Sequence, residues 1–222
     1  MKIHILSLFP TYFESPFQVS MLKRAQEAGL IEIEHVDIRD FAENKHRRVD
    51  DRPYGGGPGM VLAPGPVIAA IQSVRTTESR VVYLSPQGTP LRAAKCEELA
   101  KNCSHLILLC GHYEGVDERV IEQEVDEEIS IGDYVLTCGC PAAIVLVDAV
   151  SRFIPGVIGH PDAVHQDSFQ NGIFDAPHYT GPREGVPQVL LEGNHAKIAQ
   201  WRREMALKKT SRVRPDLQEK LQ

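Results

Sequence analysis

Apolar residues recur along the chain in short runs separated by amphipathic stretches. Lys2 to Phe9 reads as a strand, Phe13 to Ala28 as a helix stopped by Gly29, and Ile31 to Ile38 as a second strand. Pro66 is placed to open a helix through Val67, Ile68 and Ile71, because a proline in the first helical turn gives up no hydrogen bond. Val81 to Ser85 and Leu106 to Cys110 are apolar runs too short for helices, and the stretch from Arg92 to Asn102 between them has helical spacing. Both runs predict buried parallel strands. Ser130 to Leu136 is strand-like again, with Gly132 and Asp133 near its rim. Such alternation over about 150 residues predicts an α/β domain whose mainly parallel sheet carries helices on both faces.

Pro141 to Phe153 is apolar on all sides except Asp148, Ser151 and Arg152, which predicts a helix buried in the domain or in an interface. From Ile154 to about Pro187 the composition turns to Pro, Gly, His, Asp and Asn without periodicity. Long irregular segments are disproportionately functional. Beyond it, Ile198, Trp201 and Met205 recur at helical spacing among basic residues, predicting an amphipathic helix in a small C-terminal domain. The domain boundaries read from this pass are 1–156, a linker over 157–176, and 177–222.

Composition narrows the class. In 222 residues, 42% are hydrophobic and 24% charged, which suits a folded protein of one or two domains and excludes disordered, collagen-like and disulfide-scaffold classes. The opening apolar run is closed by Pro10, too short for a secretory segment, and no stretch approaches the ~20 apolar residues of a membrane span. Five cysteines, Cys96, Cys103, Cys110, Cys138 and Cys140, lack disulfide-framework spacing and read as reduced thiols of a cytoplasmic protein. The net charge of −6 discourages a nucleic-acid partner, but it hides an uneven distribution. Acid gathers between Glu114 and Glu128, base between Lys197 and Arg214. A basic segment is the footprint of phosphate contact, although a solvated helix face has the same composition.

Three strings carry candidate chemistry. Gly55-Gly56-Gly57-Pro58-Gly59, preceded by Arg52 and Tyr54, matches neither the dinucleotide-binding nor the phosphate-loop pattern, yet such density of glycine lets backbone approach a ligand. Cys110-Gly111-His112-Tyr113-Glu114-Gly115 directly follows a predicted strand, and ligands of open α/β sheets bind beyond the carboxyl ends of strands. Cys110 continues the apolar run and reads as a core thiol, leaving Tyr113 and Glu114 free to serve a ligand. Cys138-Gly139-Cys140 has no second ligand pair at zinc-site spacing and reads as packing. In the irregular segment, Asp167 and Ser168 are either functional or helix caps.

Read together and in order, HRRVDDRPYGGGPGM (46–60), YLSPQG (83–88), CGHYEGVDERV (110–120), SIGDYVL (130–136), SRFIPGVIG (151–159), QDSF (166–169), HYTGP (178–182) and LLEGNH (190–195) resemble the bacterial tRNA (guanine-N1)-methyltransferase family along nearly the whole chain. The chain departs from the usual family string in having Thr137-Cys138-Gly139-Cys140-Pro141 after Leu136, and in having Gly181 before Pro182. The resemblance implies a SPOUT-type α/β fold with a deep trefoil knot, S-adenosyl-L-methionine as methyl donor, and the guanosine immediately 3′ of the tRNA anticodon as target. It also implies a homodimer with the active site at the subunit interface, Mg2+ as an accessory to the reaction, the anticodon arm of tRNA as partner, and no membrane. Carried over by position, Tyr83, Leu84, Ser85, Pro86, Gly111, Tyr113, Glu114, Gly115, Ile131, Gly132, Asp133, Tyr134, Val135, Leu136 and Gly139 would hold the cofactor. Asp167, on the linker, matches the family's general base and Arg152 the arginine that steadies the target base. Arg52, Tyr54, Gly55, Gly57, Ser168, Arg202, Arg203 and Lys208 match segments that meet tRNA.

A carboxylate of ordinary pKa, near ~3.9, is a poor base for a guanine ring nitrogen. Burial between subunits would raise the Asp167 pKa, while Arg152 or a bound cation near the guanine oxygen would stabilise the negative charge that develops during proton removal. The other readings weighed are a tRNA-binding protein with a vestigial cofactor pocket and a nucleotide-dependent oxidoreductase. The lack of a Gly-x-Gly-x-x-Gly string after the first strand argues against the latter.

Overall fold

The structure, a computed structural model, describes residues 1–160 and 163–219. Pro161 and Asp162 of the predicted linker and residues 220–222 of the predicted C-terminal domain lie outside the described residues. The chain divides into two compact units, Met1–Gly159 and His160–Gln222, so most of the segment expected to be a separate linker belongs to the second unit.

The first unit is built on five strands, β1 (Lys2–Ser7), β2 (Glu32–Asp37), β5 (Ser79–Pro90), β6 (His105–Cys110) and β7 (Glu127–Ser130), in the order β2-β1-β6-β5-β7. Every pairing in this sheet is parallel. A separate short ribbon pairs β3 (Asp50–Asp51) with β4 (Val61–Leu62) in antiparallel fashion. All six residues of central β6 are buried, as expected of a strand covered on both faces. The alternation of side chains divides it: Leu106 and Leu108 join one core cluster and Ile107 and Leu109 the other. Over the first face lie α1 (Ser20–Glu27), α3 (Ala93–Asn102) and α5 (Cys140–Ser151), contributing Leu22, Leu99 and Leu146 among others. Over the second lie α2 (Pro64–Val74), with Val67 and Ile71, and α4 (Glu118–Glu124), with Val120.

Three local expectations are corrected. The helix expected over 13–28 is confined to Ser20–Glu27, preceded by 3-10 turns at Pro10–Phe13 and Pro16–Gln18. Pro16 offers no N–H to a carbonyl four residues back, and Val19 is extended, so the helical ladder cannot run through. Phe13 and Phe17 are nevertheless buried, with rings stacked at 5.8 Å, which anchors the irregular segment to the core. Helix α2 starts at Pro64 rather than Pro66. Both prolines fit its first turn, where N–H groups have no intrahelical partner. Strand β7 ends at Ser130, whose hydroxyl donates to the Gly132 carbonyl at 3.1 Å and turns the chain, so 131–136 is a loop and not a strand.

The second unit contains α6 (Ala163–Gln166), α7 (Gln188–Leu191), α8 (His195–Val213) and α9 (Asp216–Glu219). Its tie point is Thr210 on α8, fully buried, which donates to the Ala206 carbonyl at 2.8 Å and accepts the Phe174 N–H at 2.8 Å. Among the described residues no helix is long and apolar enough to cross a membrane.

Two histidines are buried in the sheet of the first unit. His4 Nε2 meets Glu34 Oε2 at 2.9 Å, His4 Nδ1 meets His105 Nε2 at 2.7 Å, and His105 Nδ1 meets Ser79 Oγ at 2.7 Å. Since a carboxylate accepts, His4 Nε2 carries a proton; His4 Nδ1 then accepts from His105, which accepts in turn from Ser79. With both rings neutral, each of these three bonds has one donor and one acceptor. Burial lowers both pKa values, outweighing the pull of Glu34 on His4. Because the unfolded imidazoles protonate near the ordinary value while the folded ones resist, this contribution is complete above about pH 6.5 and fades as pH falls through the depressed folded values. The urea midpoint should therefore decline from pH 7 to pH 5, and His105→Gln should flatten that decline. An equally steep profile in the variant would remove His105 from the account.

Candidate active site

Parallel strands place their carboxyl ends on one edge, and there β5, β6 and β7 surround a cavity of about 350 Å³. Residues 84–87 of β5 and two loops, over 111–116 and 131–139, form the first, second and third segments of its wall. The third is fastened to the second: the Gly139 N–H donates to the Gly111 carbonyl at 2.8 Å, and His112 bridges Cys138 in antiparallel fashion. Glycine is required at 139, since a Cβ there would lie 2.9 Å from the Cys110 Cα. Cys110 is buried and its thiol hydrogen-bonds Cys140, which holds the Cys140 thiol below its ordinary pKa and raises that of Cys110. This is the packing role expected of both. Burial, with Glu128 nearby, pushes the Tyr83 phenol up to about 12, so it stays protonated as part of the wall.

The glycine loop belongs to the same edge. Glu114 N–H donates to the Met60 carbonyl and Leu62 N–H to the Gly115 carbonyl, each at 3.0 Å. Gly55, Gly56, Gly57 and Gly59 all have positive φ, between +82° and +116°, so this backbone path is open to glycine and costly for other residues. Tyr54 at its start is 99% exposed, and Arg52 is exposed beside it.

Of the residues expected to hold a cofactor, all line this cavity except Asp133. Gln87, His112, Glu118, Glu128, Thr137 and Cys138 line it too and were not expected. They are chain neighbours of the motif residues, or arrive from α4 and β7 by folding, and their only signal in sequence was proximity to a strand end. Arg152 follows α5 in the first unit and is exposed. Asp167 is half-buried in the second unit, where its carbonyl accepts the Gln170 N–H at 3.3 Å. Ser168 Oγ accepts the Asp175 N–H at 3.0 Å, so its hydroxyl folds the segment and caps no helix. Arg202, Arg203 and Lys208 are exposed on α8. Among the described residues no group of three His, Cys, Asp or Glu side chains is placed to hold a metal ion, so a protein-built magnesium cage does not fit.

The cavity has a definite electrostatic character. Glu114, Glu118 and Glu128 line it, and neither lysine nor arginine does. Such a site favours a cation with an apolar, flat body. The family model for tRNA (guanine-1)-methyltransferase TrmD matches residues 1–220. The chain belongs to this family. A tRNA (guanine-N(1)-)-methyltransferase of Protochlamydia amoebophila is 65% identical over 98% of this chain and 99% of its own length. Proteins of the same name from Chlamydia trachomatis serovar D and Chlamydia pneumoniae are 56% and 57% identical over 98% of this chain, and cover 62% and 61% of their own lengths. The chain thus spans about three fifths of the length of the two Chlamydia relatives and nearly all of the Protochlamydia one.

Membership in the TrmD family makes the protein an enzyme of methyl transfer to tRNA guanine, with S-adenosylmethionine as donor and an α/β fold of the SPOUT class. The cavity suits that donor. Its volume of about 350 Å³ falls in the range of small-ligand sites, roughly 300–1,000 Å³, and its carboxylates complement a sulfonium cation. Apolar walls from Leu84, Ile131 and Leu136 suit an adenine ring. Gly139→Ala should force open the pairing between 138–139 and 111–112, weakening S-adenosylmethionine binding at least tenfold by calorimetry. Wild-type affinity in that variant would show that the 131–139 loop does not shape the binding site.

Proposed function

We propose that the protein methylates N1 of the guanosine immediately 3′ of the tRNA anticodon in the cytoplasm, with the donor in the cavity at the ends of β5, β6 and β7, Asp167 as base and Arg152 as the group that holds the purine. The observation that carries this reading is the acidic, cation-free lining of that cavity, set at the end of a parallel sheet. Bound S-adenosylmethionine supplies a methyl group already activated by its positive sulfur. Asp167 accepts the N1 proton, so that the nitrogen electron pair forms the new bond to carbon while the carbon–sulfur pair departs with the sulfur. The Arg152 guanidinium faces the guanine oxygen and stabilises the negative charge that proton removal creates there.

A homodimer with its active site between subunits completes the reading. It is supported by the uncovered apolar rim of the cavity, where Val135 is 82% and Tyr134 55% exposed, and by Val145 on α5, 45% exposed. Large apolar side chains gathered at a site rim mark a contact surface. The deep knot of the fold class is part of the same proposal. Its support is the fastening of 131–139 across 111–112, together with the register shift by which β5 meets β7 again at Thr89. Arg52, Tyr54 and the backbone of Gly55 and Gly57 meet the RNA near the target, with Ser168 beside the base. Arg202, Arg203 and Lys208 neutralise phosphates of the anticodon arm. The target guanine lies in a loop, where unstacking costs least.

Transfer of labelled methyl to unmodified tRNA, followed by nucleoside identification, tests the whole; label on any nucleoside other than 1-methylguanosine overturns it. Asp167→Asn should retain S-adenosylmethionine affinity while kcat falls about 10²- to 10⁴-fold, the usual worth of a positioned base. Near-normal turnover would assign the proton to another group. Arg152→Lys should cost about tenfold or more in kcat/KM, because an ammonium cannot reproduce a planar fork.

A further inference from the structure

The second unit contains a cavity of its own, about 410 Å³, between the 177–183 segment and helices α7 and α8. Its walls are of three kinds. Tyr179 supplies an aromatic ring, 48% exposed, steadied by Trp201 at 6.2 Å between ring centroids with a tilt of 58°. Pro182, Leu190, Leu191 and Ile198 supply apolar surface. Arg183 and Arg202 supply two guanidinium groups, and neither has a carboxylate partner among the described residues. The neighbouring His178 is already engaged, its Nε2 2.7 Å from Asp175 Oδ2, and no carboxylate lines the cavity.

An exposed ring on an apolar floor, flanked by unneutralised guanidinium groups, complements a ligand that has a flat apolar face and a negatively charged backbone. We propose that this cavity seats one unstacked nucleotide of the bound tRNA, a nucleotide other than the methylated guanosine, with its base on Tyr179 and its phosphate held by Arg183 and Arg202. This rests on the reading that the second unit binds tRNA. Stacking needs only a π face, which every base has. The π face of Tyr179 accepts any base, and the cavity wall carries no carboxylate or carboxamide side chain. The occupant is held by shape and charge, and the guanosine in the catalytic cavity carries the specificity.

The whole chain provides its own reporter, because Trp201 is its single tryptophan and packs against Tyr179. Unmodified tRNA titrated into the protein should change Trp201 emission in step with binding measured by filter retention. Tyr179→Leu should raise KM for tRNA at least tenfold and abolish the emission change, while S-adenosylmethionine affinity is kept. Tyr179→Phe, which retains the stacking face, should restore KM to within about twofold of wild type. Arg183→Glu, at an exposed position where folding is not at stake, should raise KM by a similar factor and make it less dependent on salt, since one phosphate contact is lost. A wild-type KM in Tyr179→Leu and Arg183→Glu overturns the nucleotide seat and leaves the methyltransferase reading intact. So does a Tyr179→Phe protein as impaired as Tyr179→Leu. Failure of the wild-type protein to bind tRNA at all overturns both.

Discussion

A single backbone pairing at the rim of the sheet shapes the cavity of the first unit. Where β6 ends at Cys110, the next two residues present a carbonyl and an antiparallel edge to Cys138 and Gly139, which arrive from a loop beginning at Ser130. The contact ties the end of one strand to the start of α5, which begins at Cys140. It works only because residue 139 has no side chain, so that two stretches of main chain can meet at contact distance. The loop from Ile131 to Leu136 is suspended between this fastening and the Ser130 turn, and it forms one wall of the cavity while leaving apolar side chains uncovered at the mouth.

Charge is partitioned to match the two chemistries that a methyl transfer to RNA must combine. A sulfonium donor is a cation and is favoured by the carboxylates that face the cavity; RNA is a polyanion, and in the proposed reading it meets the guanidinium and ammonium groups exposed on α8. Mixing the two fields in one place would cost affinity for both ligands. The chain separates them by unit, and its formal charge of −6 conceals that separation. Arg152 and the glycine loop are exceptions, both in the first unit. The loop carries Arg52, exposed, on the same unit as the acidic cavity.

The sequence was most informative where one physical requirement dominates locally. Buried strands need continuous apolar runs, and Leu106 to Cys110 is such a run; helix ends need a residue that tolerates positive φ, and Gly29 stands there at φ +68°. Reading failed where distant packing overrode local pattern. The spacing of Phe13, Phe17 and Leu22 looked helical, yet two 3-10 turns bring the same rings to the core. Ser130 to Leu136 looked like a strand because about half its residues are apolar, but those residues line a cavity and its open rim, and among the described residues no further strand lies beside β7 to pair with. Nothing in the local string distinguishes Asp133, turned out of the cavity lining, from its neighbours within it.

By itself, then, the amino-acid order determined the class of fold, the strands whose ends carry the site and, through a set of uncommon strings, the family. These are properties written in short stretches, since periodicity, turn chemistry and motif identity need only near neighbours in the chain. Tertiary structure alone decided that His112 and Cys138 share an edge, that Glu118 and Glu128 join Glu114 around one cavity, and that Tyr179, Arg183 and Arg202 surround another. Each of those groupings joins residues separated along the chain, and whether such residues meet depends on how the sheet order and the helix packing close space between them.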